Sequence, residues 1–169
     1  MAAAWFDHAL RYAGLGWKVF PLHGIVAGRC TCGDADCRSI GKHPMTPHGV
    51  KDASLDPAQI ERWAAQWPQS NLGLALTDGL VALDTDPRNG GDATLATLLA
   101  EHGPLPDTVL QMTGGGGTHH LFFNRESRKL PGTLGKGIDL KGEGGYIVVE
   151  PSMHASGSSY AWEASCDPL

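Results

Sequence analysis

Three stretches of this 169-residue chain carry side chains whose types and spacing could do chemistry. The first is Asp84-Thr85-Asp86, at the end of an apolar run. Strand side chains alternate, so in a strand both carboxylates face one side and Thr85 faces the other. Two carboxylates so placed stay ionised only when cations compensate them, and Mg²⁺ or Mn²⁺ suits such hard oxygen ligands. The competing reading is a turn, because Asp86-Pro87-Arg88-Asn89-Gly90-Gly91 is turn chemistry. The second stretch sets Gly114, Gly115, Gly116 and Gly117 between two strand-like runs, with His119 and His120 opening the later one. Backbone amides in such a loop suit phosphate oxygens, and an imidazole beside them adds a donor. Alternation lets only one of the two histidines face that site, and a plain flexible hairpin loop is the alternative. The loop is not of the Walker A type, since Gly135-Lys136-Gly137 lacks the Ser or Thr that must follow the lysine. In the third stretch, Gly137-Ile138-Asp139-Leu140-Lys141, Asp139 and Lys141 share a strand face. Asp139 could complete a three-carboxylate metal site while Lys141 meets a phosphate; otherwise the two are a solvated pair worth little. Residues 125 to 141 also hold Arg125, Arg128, Lys129, Lys136 and Lys141, a local basic patch in an acidic chain.

A fourth cluster reads as structural. Cys30, Cys32 and Cys37 lie within eight residues and His43 follows, a set of three thiolates and an imidazole that suits a closed Zn²⁺ site. The first pair is Cys-X-Cys rather than Cys-X-X-Cys, and His23 or His48 could stand in for His43. Free thiols are the alternative, and they would leave a long loop with nothing to order it. Cys166 stands apart near the C-terminus.

The elements that must position these groups follow from periodicity. Residues 2 to 13 repeat apolar side chains at helical spacing until Gly14 and Gly16, and residues 17 to 22 read as a strand. Residues 23 to 50 are polar, rich in Gly, His and Cys, and without periodicity. Asp56 and Pro57 form a good helix start, with Ile60, Trp63, Ala64 and Trp67 inward until Pro68. Leu72 to Leu76, the turn Thr77-Asp78-Gly79, and Leu80 to Asp84 read as a β-hairpin ending in acid. Residues 92 to 102 read as a helix with Leu95, Leu98 and Leu99 inward, and four strands follow, at 108–113, 119–124, 137–141 and 146–149. The sum is an α+β domain with a mainly antiparallel sheet.

Composition sets the bounds. The length suits one domain, here residues 1–169, and 41% hydrophobic residues can build a core. Twenty-three glycines and eleven prolines exclude a helical bundle or coiled coil. A net charge of −5 argues against bulk electrostatic nucleic-acid binding and leaves only a local basic site. No apolar run approaches the roughly 18 residues of a membrane span, and the N-terminus lacks the basic start of a signal peptide, so a cytoplasmic location without membrane contact is expected.

In order and spacing these motifs resemble the bifunctional DNA primase/polymerase N-terminal domain, a branch of the archaeo-eukaryotic primase superfamily found in plasmid, phage and mobile-element replication proteins. The resemblance runs through Gly41-Lys42-His43-Pro44, Asn71-Leu72-Gly73-Leu74, Leu83 to Gly91, Thr113 to His119, Gly137 to Lys141, Gly144 to Val149 and Pro151-Ser152. It implies that Asp84, Asp86 and Asp139 hold two catalytic Mg²⁺ or Mn²⁺ ions, and that His119 and Lys141 handle a nucleotide's phosphates beside Gly116 and Gly117. It implies a zinc-bearing insertion over residues 28–48 and a catalytic half like an RNA-recognition-motif sheet, packed on a smaller α/β half. The implied partners are a DNA template and primer, nucleoside triphosphates, and a helical C-terminal domain and helicase outside this chain. The implied reaction is template-directed nucleotide transfer to a primer 3′-hydroxyl. A metal-dependent nuclease and a non-catalytic single-stranded-DNA-binding module are the rival functions. Glu150 departs from the small residue or proline expected before Pro151 and sets a further carboxylate near the site.

Overall fold

The computed structural model describes residues 3–126 and 128–169. In chain order the elements are α1 (Phe6–Gly14), β1 (Val19–Leu22), β2 (Ile25–Val26), β3 (Arg29–Cys30), α2 (Pro57–Gln66), β4 (Asn71–Leu76), β5 (Leu80–Thr85) and α3 (Gly91–His102). There follow β6 (Leu110–Met112), β7 (Thr118–Phe123), β8 (Thr133–Gly135), β9 (Ile138–Lys141), β10 (Gly145–Val149) and β11 (Ala161–Trp162). Short 3₁₀ turns cover Gly49–Asp52 and Pro87–Asn89. The strands form a three-stranded sheet, β1-β4-β10, a six-stranded sheet, β11-β6-β7-β5-β9-β8, and the small β2-β3 ribbon. Every strand pairing is antiparallel, as expected for this α+β chain.

Local chemistry explains the helices. The Asp56 carboxylate accepts the Ala58 N–H at 3.0 Å, Pro57 fills the first helical position, and Ile60, Trp63 and Ala64 are buried. The first helix begins at Phe6 rather than at residue 2, which lies outside the described residues. Leu95, Leu98 and Leu99 of α3 are only half-buried, because this helix packs on β5 and β9 at the rim of the molecule. One continuous core joins Ala9 and Tyr12 of α1 with Trp5 just before it, Ile60 and Trp63 of α2, the three-stranded sheet, and Leu80, Ala82 and Leu121 of the larger sheet.

The expected β4–β5 hairpin does not form. The tight turn is present, with Asp78 and Gly79 at positive φ and Leu80 N–H bonded to Thr77 O at 3.0 Å. Instead of pairing with each other, β4 takes β1 and β10 as neighbours and β5 takes β7 and β9. Both runs are apolar at nearly every position, the pattern of central strands covered on two faces rather than of an alternating hairpin, and β4 is buried throughout. The turn therefore carries the chain from one sheet to the other. The strands β2, β3, β8 and β11 are too short or too exposed to leave a period-two signal.

The junction of the Asp86 turn, the start of α3 and the start of β9 is built from bare backbone. Asp86 N–H donates to Gly137 O at 2.8 Å, and Gly91 N–H donates to Asp86 O at 2.9 Å. A Cβ on Gly91 would collide with the Gly137 carbonyl and with the backbone of Asp86. Gly91→Ala is therefore expected to cost about 1–3 kcal/mol, as overpacking does, read as a lowered urea midpoint with an unchanged slope.

Candidate active site and metal cluster

The centre of the site is set by register. On one side of β5, Asp84 stands opposite His119 of β7; on the other it stands opposite Asp139 of β9. Directly opposed residues project from the same face, so all three point into one cavity of about 310 Å³. Lys141, two residues beyond Asp139, shares that face and sets its Nζ 2.6 Å from Asp84 Oδ2. His119 Nε2 lies 3.6 Å from Asp84 Oδ1. Burial acts to raise the Asp84 pKa, but the facing His119 and Lys141 outweigh it and hold the carboxyl well below the usual carboxylate range.

Asp86 is a turn residue that also borders the cavity. It caps the 3₁₀ turn, accepting from Arg88 N–H at 3.0 Å, and its carboxylate also takes the Arg88 guanidinium and, at 2.8 Å, Asn89 Nδ2. It lines the same cavity as Asp84 and Asp139. The three carboxylates thus share one wall, yet they do not converge as tightly as the cysteine cluster does, and Asp84 and Asp86 are each paired with a cation. Carboxylate oxygens on one wall are a donor set that suits Mg²⁺ or Mn²⁺.

Of the two histidines, His119 faces the cavity, while His120 lies on the other face with its buried Nδ1 unpartnered. The orientation of His119 rests on Gln111, a fully buried residue with no sequence signal of its own. Gln111 Oε1 accepts Glu150 N–H at 2.9 Å, and its Nε2 donates to Val148 O at 2.9 Å. These backbone partners settle which end of the carboxamide is nitrogen, and its remaining hydrogen meets His119 Nδ1 at 2.9 Å. Nδ1 therefore presents its lone pair, and the ring carries hydrogen on Nε2, the nitrogen facing Asp84.

The glycine loop is used differently from the expectation. Gly116 N–H donates to Thr113 O at 3.0 Å and Gly117 N–H to Thr113 Oγ1 at 2.9 Å, so both amides are spent inside the turn. Gly115 and Gly117 line the cavity; Gly116, at positive φ, shapes the tip. Gly114 lies against His154, whose ring also borders the cavity. The basic patch does not assemble either. Arg125, Arg128, Lys129 and Lys136 are exposed and only Lys141 reaches the site, while Arg88 and Lys42 supply the other cations. Glu150 turns away, accepting Trp162 N–H at 2.7 Å and facing His8 at 3.4 Å.

Cys30, Cys32, Cys37 and His43 bring one ligand atom each to within 4.8 Å of all the others. His43 Nε2 lies 3.3 Å from Cys30 Sγ and 3.6 Å from Cys37 Sγ, separations that a tetrahedral zinc site with bonds of about 2.0–2.3 Å requires. His23 stacks on His43 and bonds Thr31, and His48 pairs with Asp52, so neither replaces His43. Burial opposes ionisation of Cys30, but the Gly41 N–H and its other hydrogen-bond partners bring its thiol down to about 6. The quartet fits zinc.

A cavity floored by carboxylates and rimmed by cations is a place for divalent ions and anions together. The chain belongs to the family described as bifunctional DNA primase/polymerase, N-terminal, which it matches over residues 9–169. No curated protein matches it. Members of this family are DNA primase/polymerase domains of the nucleotidyltransferase type, which bind DNA and nucleotides. No helix among the described residues is long and apolar enough to cross a membrane.

Two outcomes test this geometry. Cys32→Ser is expected to lose bound zinc, measured by metal analysis, and to melt at a lower temperature, because structural zinc contributes folding free energy. The depressed Asp84 pKa adds stability that is complete above the ordinary carboxylate value of about 4 and is lost as pH falls through its lower folded value. Urea midpoints of the wild type should thus fall more steeply below about pH 4 than those of Asp84→Asn.

Proposed function

We propose that this domain is a template-directed DNA polymerase and primase, extending a primer 3′-hydroxyl with nucleoside triphosphates in the replication of a plasmid, phage or mobile element. The observation that carries the reading is the register that sets Asp84 between His119 and Asp139 in a carboxylate-lined cavity, in a chain of this family. The six-stranded sheet corresponds to the RNA-recognition-motif-like half, and the three-stranded sheet with α1 and α2 to the smaller α/β half.

Asp84, Asp86 and Asp139 would hold two Mg²⁺ or Mn²⁺ ions, which when bound lower the pKa of the attacking hydroxyl and neutralise the departing pyrophosphate. The chain's own groups do the positioning. His119 directs its Nε2–H into the cavity, where a phosphate oxygen can accept it. Lys141, paired with Asp84 at 2.6 Å, stands beside the cavity as a cation that would be available to a phosphate were Asp84 to hold a metal. Arg88 stands in the same relation to Asp86. No side chain forms a bond to substrate; charge stabilisation and orientation supply the rate.

The test is extension of a labelled primer on a DNA template with nucleoside triphosphates and Mn²⁺ or Mg²⁺. Template-dependent growth by the wild type and a loss of about 10²–10³-fold in Asp84→Ala, what removal of a central charge-stabilising group costs, is the expected result. Cleavage of DNA without any need for triphosphates would replace the reading with a nuclease. DNA binding indifferent to Mn²⁺ and to Asp84→Ala, without extension, would replace it with a binding module.

A further inference from the structure

Lys42 lies in the segment closed by the cysteine cluster, between Gly41 and the ligand His43. The backbone of Gly41, Lys42 and His43 is held by four partners remote in sequence. Gly41 donates its N–H to Cys30 Sγ at 3.5 Å, and the Gly41 carbonyl accepts Asn71 Nδ2 of β4 at 2.8 Å. The Lys42 carbonyl accepts the hydroxyl of Tyr146, in β10, at 3.0 Å. The His43 carbonyl accepts the His23 N–H at 2.8 Å. Gly41 is itself at positive φ and packed against Ile25 and the Asn71 amide, so a larger residue there would displace this anchor.

So fastened, the Lys42 side chain is half-buried and lines the cavity that holds Asp84, Asp86, Arg88 and His119. It also lines the adjoining cavity of about 410 Å³, which contains Lys141. Among the described residues no carboxylate forms a salt bridge with Lys42, whereas Arg88 has Asp86 and Lys141 has Asp84. Three cations therefore border two cavities that meet at Lys42, Asp84 and His119, and Lys42, the one common to both, lacks a counterion of its own. Holding a half-buried ammonium there is unfavourable until an anion joins it. Divalent ions on the carboxylates would release Lys141 and Arg88 as well, so the missing anion is one that several cations can share. A polyphosphate has that charge and reach.

We propose that Lys42 binds the triphosphate of the incoming nucleotide, and that the zinc-closed segment 30–43 holds it in place, so that zinc and nucleotide affinity are linked. The nature of the ligand rests on the polymerase reading above. Lys42 is a phosphate-binding residue of the site, delivered from the small sheet and the cysteine segment rather than from the sheet that carries the carboxylates.

The test is calorimetric binding of a deoxynucleoside triphosphate with Mn²⁺ and no primer. Lys42→Ala should bind it about tenfold more weakly, the loss of one charge-assisted hydrogen bond, with zinc content and circular dichroism unchanged. Binding of the corresponding monophosphate should change far less, and Lys42→Arg should restore most of the triphosphate affinity. Cys32→Ser should weaken triphosphate binding to a similar extent, and adding Lys42→Ala to it should cost little more. Triphosphate affinity left intact by Lys42→Ala overturns the assignment. So does an equal loss for monophosphate and triphosphate. A wild type that binds no triphosphate at all overturns the polymerase reading as well, whereas an intact wild type with an indifferent Lys42→Ala overturns this assignment alone.

Discussion

The site depends on β5 having a partner on each edge. A strand between two antiparallel neighbours has a residue directly opposite each of its own on both sides, and at Asp84 these are His119 and Asp139. A slip of one residue in any of the three strands would turn a member of the group to the opposite face. The core prevents the slip: Leu80 and Ala82, four and two residues before Asp84, point the same way and are buried with Leu121 of β7. The face that begins as hydrophobic core therefore ends, at the tip of the strand, as the charged floor of a cavity. Hydrophobic burial deep in the molecule thereby fixes the carboxylate at its edge.

The cations of the cavity are drawn from different parts of the fold. Lys141 comes to Asp84 from the neighbouring strand, Arg88 to Asp86 from within one turn, and Lys42 from a segment anchored on the other sheet. Asn71 is the joint between those parts. Its amide bonds Gly41 O and Met153 O at 2.8 Å each, and its oxygen accepts Met153 N–H at 3.0 Å. One buried side chain thus ties the cysteine segment to the segment after β10. Gln111 does similar work on the other side, joining β6, β7 and β10 through a single carboxamide.

Much of this was legible in the residues. Asp56-Pro57 announced α2, the alternation of β7 allowed only one of its two histidines to face the site, and the cysteine spacing with His43 described the quartet that the fold assembles. Long-range pairing was not legible. The Thr77–Leu80 turn has hairpin chemistry whether its flanking strands join each other or part, and only the burial of both strands on two faces decides between these. The basic run 125–141 misled because density along the chain is not convergence in space; most of its side chains point to solvent. Gln111 carries no local pattern, since its role arises from three strands meeting. Lys42 had a faint signal in its place beside His43, within a motif shared with the family.

The crossing of Gly91, Gly137 and Asp86 has a mechanical side. Three backbone segments meet there with no side chain between them and are bonded directly at 2.8 and 2.9 Å. Such a rivet has no soft rotamer to absorb displacement. The loop that presents Asp86 and the strand that presents Asp139 are consequently pinned to each other through main-chain atoms at the start of α3, so the spacing of those two carboxylates does not hang on any side-chain rotamer at the crossing.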